Sequence, residues 1–200
     1  MSTAFYQISY MVGFKPWDRG VIPRELVALV EGPNALAPGK VIDIGCGTGT
    51  QAIYLARHGW RVTAVDIVDR VLDTARRKAD AAGVSVEWKR GDVARLGEVA
   101  GGDTFALLFD QGCFHGLPDA ARDGYVAGAS SIASPGAHFL FAAFAPARRG
   151  PLPRGIGRDE IEARFVGWDV LWARKEADVD IRLPPFVTPA DLAWYLLRKR

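Results

Sequence analysis

Three glycines at alternating positions, Gly45, Gly47 and Gly49, form the stretch of this sequence best suited to hold a ligand. A turn with glycine at every second position lets the backbone pass close to a ligand, because no Cβ intrudes and a positive φ costs little. Asp43 lies just before the turn. Its carboxylate would attract an ammonium-bearing ligand and would repel a pyrophosphate.

A dinucleotide site is the first alternative for this turn, because a G-x-G-x-x-G fingerprint also joins a strand to a helix. Here the third glycine comes one residue earlier than the fingerprint requires, and position 50 is Thr. Together with Asp43, this spacing disfavours a NAD-dependent dehydrogenase.

Carboxylates also follow the next two predicted strands. Asp66 ends a β-prone run 21 residues after Gly45, a distance that would bring it within reach of a ribose diol. Asp69 is available as the N-cap of the following helix, which would leave Asp66 free for the ligand. Asp92 follows a third strand. Because the carboxyl ends of parallel strands meet at one crevice, we expect Asp43, Asp66 and Asp92 on the same rim.

A fourth apolar strand, predicted over residues 103–109, leads to the residues with the clearest catalytic potential. Histidine as a residue type suits a general base for a phenol-like hydroxyl, so His115 is a candidate base. Its alternative role is a purely structural hydrogen bond within the loop. Asp110 would either hold His115 or orient a bound cofactor. Phe114 would wall an aromatic acceptor or pack in the core.

The elements that position these residues alternate between strands and helices, which predicts one α/β domain spanning residues 1–200. Residues 134–136 are predicted as a turn. The other predicted helices cover residues 23–31, 70–82, 118–133 and 158–165, and the other strands cover 61–65, 84–88, 137–144, 166–174 and 193–199.

Four stretches together resemble the class I methyltransferases that depend on S-adenosylmethionine (SAM). They are VIDIGCGTGT, VTAVDIVDRVLDTARRKA, GDV and FALLFDQGCFHGLP, in the order and spacing of that family. The resemblance implies a Rossmann-like sheet of seven strands, six parallel and one antiparallel, with helices on both faces. It also implies SAM as cofactor and S-adenosylhomocysteine (SAH) as product, with Asp92 accepting from the adenine amino group and Val93 packing on the ring.

The segments PWDRG and GCFHGLP are similar to a bacterial branch of small-molecule methyltransferases. This branch includes thiopurine and tellurite-resistance enzymes and mycobacterial enzymes that methylate heterocyclic toxins. Close relatives in it are expected to carry Arg where this sequence has Gln111, so the acceptor preference here would differ if that Arg steers an acidic acceptor.

The predicted site follows from these arguments. The cofactor-binding residues are Trp17, Asp43, Gly45, Gly47, Gly49, Asp66, Ile67, Asp92, Val93 and Asp110. The catalytic residues are His115 and Asp110, and the acceptor-binding residues are Tyr6, Tyr10, Phe14, Phe114 and His115. Residues 1–20, which are rich in aromatic side chains, would form a lid over the ligand or pack on the edge of the core.

Composition limits the partners. A net charge of +2 without a basic face argues against nucleic acid, and no apolar run approaches the length of a membrane span. The two cysteines are not spaced as a metal or disulfide motif. We therefore expect a cytoplasmic monomer or homodimer with a small-molecule acceptor and no metal.

Three functions remain open from the sequence. The first is O-methylation of an aromatic or heterocyclic hydroxyl compound, which His115 among aromatic residues favours. The second is methylation of a thiol, a thiopurine or tellurite, for which proximity alone suffices. The third is a non-catalytic regulatory protein that binds SAM.

Overall fold

The computed structural model describes residues 20–146, 154–176 and 191–200. Trp17, Tyr6, Tyr10 and Phe14, together with the rest of the expected lid up to residue 19, lie outside these ranges. The described helices are α1 (Arg24–Glu31), α2 (Thr50–Arg57), α3 (Asp69–Ala82), α4 (Leu96–Ala100), α5 (Asp119–Ile132) and α6 (Arg158–Arg164). The described strands are β1 (Lys40–Ile44), β2 (Arg61–Asp66), β3 (Glu87–Arg90), β4 (Phe105–Gln111), β5 (Ala133–Phe144), β6 (Trp168–Lys175) and β7 (Leu192–Lys199).

The strands form one seven-stranded sheet in the order β3-β2-β1-β4-β5-β7-β6. Strands β1 to β5 pair in parallel, and β7 pairs antiparallel to both β5 and β6. Six strands therefore run in one direction and one runs against them, which confirms the sheet predicted from the family resemblance. The strand order reverses between β1 and β4, and the carboxyl ends of these two strands face the crevice where such sheets bind ligands.

Side chains that alternate between the two faces of the strands divide the core into two layers. In β1, Ile42 and Ile44 belong to the cluster that packs under α4, α5 and α6, whereas Val41 belongs to the cluster under α1, α2 and α3. Successive side chains of a strand point to opposite faces, so both faces of the central strands are buried. Among the described helices, none is long and apolar enough to cross a membrane.

Several predicted boundaries differ from the structure. Residues 134–136 lie within β5 instead of forming a turn, and the pairing of β4 with β5 shifts register there: Phe105 pairs with Ala133 and Leu107 with His138. Strand β3 begins at Glu87, later than predicted, because its pairing with β2 starts at Thr63. Local sequence defines the boundaries of short strands poorly, because the pairing partner decides where a strand starts.

Candidate active site

The glycine turn joins β1 to α2 in left-handed backbone conformations, with φ of 73° at Gly45, 52° at Gly47 and 79° at Gly49. A Cβ at Gly45 would lie 3.0 Å from Cβ of Cys113, and one at Gly49 would lie 2.6 Å from a ring carbon of Trp88. The backbone conformation and the close neighbours both require glycine at these two positions.

Asp66 ends β2 and anchors this turn. Its Oδ2 accepts from the amide of Gly47 at 3.0 Å, and its Oδ1 accepts from the amide of Val68 at 3.0 Å. Helix α3 begins at Asp69 itself, so the expectation that Asp69 caps the helix and leaves Asp66 free is wrong. Each carboxylate oxygen still carries a second lone pair that can accept from a ligand hydroxyl.

Asp43 is the last but one residue of β1 and is only 2% exposed. Its Oδ2 has no hydrogen-bond partner among the described residues. Burial, and then the nearby charges of Asp110 and Asp66, raise the pKa of Asp43 to about 8. A cationic group in the adjoining space would favour the ionised carboxylate and relieve this cost.

The other predicted cofactor contacts lie at the ends of β2 and β3. Ile67 is half-buried directly after Asp66, and Val93 is 7% exposed within the core under α5. Asp92 is exposed, and its Oδ1 accepts from the amide of Ala94 at 2.9 Å. The structure thus brings strand-end carboxylates from β1, β2 and β3 to one end of the sheet.

Asp110 in β4 is fully buried and is engaged by three donors. Oδ1 accepts from the amide of Cys113 at 2.6 Å, while Oδ2 accepts from the amide of Phe114 at 2.9 Å and from the hydroxyl of Tyr125 at 2.5 Å. Burial raises the pKa of Asp110 to about 6, and the hydrogen bonds oppose that rise. The carboxylate therefore fixes the backbone of the loop that carries His115.

His115 and Phe114 occupy a 3-10 turn after β4. The ring of His115 is 6% exposed and lies with its centroid 4.5 Å from that of Phe144. Phe114 is fully buried and packs on Tyr125, Phe141 and Phe165. Of the two predicted roles of Phe114, the structure supports packing in the core and not contact with an acceptor, because the residue is not exposed.

A cavity of about 300 Å³ opens beside the glycine turn and α1. It brings together Asp43, Gly45 and Gly47 with Gln111 at the end of β4 and Glu25 on α1. His115 is not among the described residues that line it. The remaining described lining residues are Gly20, Val21, Ile22, Pro23, Arg24, Cys46, Thr48, Thr50, Gln51, Phe109 and Glu176.

Two amide side chains meet at this cavity. Nε2 of Gln51 donates to Oε1 of Gln111 at 2.7 Å and to the carbonyl of Val21 at 3.3 Å. These bonds link α2, β4 and the segment before α1. Sequence reasoning did not identify Gln51, although it sits one position after the turn-facing Thr50 on the first turn of α2. Within the described ranges, no group of three His, Cys, Asp or Glu side chains is placed to hold a metal ion.

Sequence comparison identifies several methyltransferases as similar to this chain. A family model described as a methyltransferase domain matches residues 41–136. The 2-heptyl-1-hydroxyquinolin-4(1H)-one methyltransferase of Mycobacteroides abscessus is 32% identical over 145 residues, which cover 69% of this chain and 62% of that protein. An uncharacterized methyltransferase of Schizosaccharomyces pombe is 30% identical over 128 residues, which cover 62% of this chain and 87% of that protein.

Solved structures share the fold at lower identity. The Burkholderia thailandensis 1,6-didemethyltoxoflavin-N1-methyltransferase superposes with a TM-score of 0.78 and 22% identity, over 98% of this chain and 86% of that one. TehB from Haemophilus influenzae superposes with a TM-score of 0.74 and 16% identity, over 96% of this chain and 66% of that one.

Proposed function

This chain belongs to the methyltransferase family, and we propose that it transfers the methyl group of SAM to a hydroxyl oxygen of a small aromatic or heterocyclic acceptor. The observation that carries the proposal is the glycine turn, which opens on a cavity with the buried carboxyl of Asp43 in its wall.

The glycine turn suits a bulky ligand pressed against the backbone. Gly45 and Gly47 line the cavity in conformations that L-residues with side chains rarely adopt. The amides at the start of α2 face the same end of the sheet and favour negative charge, such as the carboxylate of an amino acid.

The carboxylates suit a cationic ligand. SAM carries an ammonium and a sulfonium group. Oδ2 of Asp43, which has no partner in the described part of the chain, marks where a positive charge is most strongly favoured. Glu25 and Glu176 line the same cavity, whereas Arg24 is the one basic residue among its described lining residues. The predominance of acidic groups favours this cofactor over a pyrophosphate-bearing dinucleotide.

We assign the ribose to Asp66 and the adenine amino group to Asp92. Each carboxylate oxygen of Asp66 accepts from one amide, of Gly47 or of Val68, and has a second lone pair that can accept from a hydroxyl. Asp92 follows β3, the strand next to β2, and its carboxylate is exposed. Ile67 and Val93, next to these two carboxylates, would contact the apolar faces of the nucleoside.

The bound cofactor supplies an electrophilic methyl carbon, and the chain's own residues supply position and a proton acceptor. Holding the acceptor oxygen in line with that carbon accounts for most of the acceleration expected. With that carbon in place, the acceptor oxygen would displace SAH from it, and a ring nitrogen of His115 would take up the hydroxyl proton. His115 lies in the loop that begins directly after the cavity-lining Gln111, and we assign it this role on that ground.

The acceptor class rests on a relative and on the charge of the site. The relative from Mycobacteroides abscessus is named for a hydroxyquinolone, a heterocycle that bears a hydroxyl. Gln111 and Gln51 present amides at the cavity, which suit a neutral acceptor with carbonyl or hydroxyl groups. An acidic acceptor would be repelled by Glu25 and Glu176.

The proposal is tested by transfer of labelled methyl from SAM to a panel of phenols, hydroxyquinolones, thiols and tellurite. The wild type is compared with His115→Gln, and His58→Gln serves as matched control because His58 caps α2 at the far end from the glycine turn. Turnover of a hydroxyl acceptor is expected for the wild type and the control, with a loss of about 10²–10⁴-fold in His115→Gln.

The other outcomes contradict the proposal in different ways. Transfer to thiols or tellurite alone, unaffected by His115→Gln, would replace it with a proximity-driven enzyme for soft acceptors. Tight binding of SAH without any methylated product in cell extracts would favour a regulatory protein that binds SAM.

A further inference from the structure

Arg122 on α5 is fully buried and makes an unusual set of contacts with main-chain carbonyls. Its Nη2 donates to the carbonyl of His115 at 3.0 Å and to that of Gly155 at 3.3 Å. Its Nε donates to the carbonyl of Leu117 at 3.2 Å. One guanidinium therefore joins the loop after β4 to the segment that precedes α6.

The outer side of Arg122 is held by acidic groups. Its Nη1 donates to Oε1 of Glu160 at 3.1 Å, and Glu160 is also bonded by Arg154 and Arg164. Arg154 pairs in addition with Asp119. This network balances the buried charge, since a buried guanidinium is tolerated only with such partners.

The segment that contains Gly155 is tied to the end of β5. The amide of Ile156 donates to the carbonyl of Phe144 at 2.8 Å, and the ring of Phe144 packs on His115. His115 is therefore fixed from two sides, by Arg122 at its carbonyl and by Phe144 at its ring. Arg122 also bonds to the carbonyl of Gly155, and Phe144 accepts from the amide of Ile156, so both residues that fix His115 are tied to the same segment.

We propose that Arg122 is a positioning residue for methyl transfer: it clamps the His115 loop and the Gly155 segment together and thereby sets the direction of the His115 imidazole. This inference rests in part on the proposed role of His115. The guanidinium suits the task because it presents five N–H donors in one rigid plane.

Lysine at position 122 would keep the positive charge that faces Glu160 but would lose the forked arrangement of N–H donors. A single ammonium on a flexible stem does not reach carbonyls on three sides in a fixed plane, so at least one of them loses its donor. Arg164 offers the matched control, because it contacts Glu160 at 2.8 Å and Asp123 at 2.5 Å and is not bonded to a loop carbonyl in the described structure.

The first measurement is the NMR spectrum of the histidine rings, which requires no turnover. The chain has 3 histidines, and the signals of His115 are assigned by their loss in His115→Gln. Because its ring lies 4.5 Å from Phe144, a change of orientation alters the ring-current shift. Arg122→Lys and Arg122→Gln should move the His115 signals and leave those of His58 and His138 in place, whereas Arg164→Lys should move none.

The second measurement separates binding from turnover. Arg122 does not line the described cavity, so Arg122→Lys should bind SAH as the wild type does. Its kcat should fall about 10–100-fold, since small misplacements of a reacting group carry losses of that size. The KM for the acceptor should change much less.

Each remaining result decides against the assignment. Unmoved His115 signals with unchanged kcat would leave Arg122 as a purely structural ion pair. Loss of SAH binding in both Arg122 variants, with binding retained in Arg164→Lys, would make it a folding residue. A wild type that methylates no acceptor overturns the proposed function, while the NMR comparison still decides the role of Arg122.

Discussion

The hydroxyl of Tyr125 lies 2.5 Å from Oδ2 of Asp110, and both side chains are fully buried. This bond connects the middle of α5 to the end of β4. The same Asp110 carboxylate also accepts from the backbone amides of Cys113 and Phe114. The shape of the loop after β4 therefore depends on a tyrosine in the next helix along the chain.

Replacing Tyr125 with Phe should destabilise the protein by about 1.5–3 kcal/mol, the cost of removing a hydrogen bond to a charged group in a buried site. The Tyr125 bond lowers the pKa of Asp110, so its loss should raise that pKa further. Urea unfolding of the wild type and the variant measures the difference. The matched control is Tyr54→Phe, whose hydroxyl bonds to Glu31 at an exposed site. Equal losses for the two variants would show that burial of the Asp110 bond does not matter.

Asp43 should make the free protein less stable as the pH rises. Its folded pKa of about 8 stands above the ordinary value of 3.8, so between these values the folded state holds a proton that the unfolded state has released. The contribution of Asp43 to stability is therefore complete below about pH 4 and is lost as the pH rises to about 8.

Asp43→Asn should remove this dependence. The informative interval lies between about pH 6 and pH 8, since the pKa of Asp110 is raised only to about 6. There the unfolding free energy of the wild type should fall with pH more steeply than that of Asp43→Asn. The exposed Asp73→Asn should follow the wild type. A slope that Asp43→Asn leaves unchanged would mean that Asp43 is ionised in the free protein.

Gly49 and Gly83 separate backbone conformation from steric contact. Both have positive φ, 79° and 66°, but a Cβ at Gly83 meets nothing within 4 Å whereas one at Gly49 meets Trp88 at 2.6 Å and Ala75 at 2.9 Å. Gly83→Ala should cost about 1–2 kcal/mol for the left-handed conformation alone. Gly49→Ala should cost more in urea unfolding and should also weaken SAH binding. Equal losses, with SAH affinity intact, would show that the turn tolerates a side chain.

The structure could be predicted from the sequence where a local backbone geometry requires one residue type. Gly45, Gly47 and Gly49 predicted the tight turn because positive φ is costly for other residues, and all three adopt it. The apolar runs around Val41 and Leu107 predicted central strands because both of their faces must be buried. The number and direction of the strands came from the family resemblance, and their order came from the structure.

Hydrogen bonds that a carboxylate accepts from backbone amides could not be predicted in this way, because they depend on the path of the turn backbone. Asp66 and Asp110 look like free ligand-binding carboxylates, yet backbone amides already bond to both. Arg122 was missed although a signal existed. It lies at helical spacing from Tyr125, Val126 and Ala129, which are all buried, and an arginine on the apolar face of a helix indicates a buried partner.

Calorimetric titration with SAH and, separately, with NADH tests the central claim most directly, because it asks which cofactor the glycine turn and Asp43 hold. SAH should bind with one molecule per chain, Asp43→Asn should weaken this binding, and NADH should give no heat of binding. Binding of NADH, or absence of SAH binding by a folded wild type, would contradict the claim.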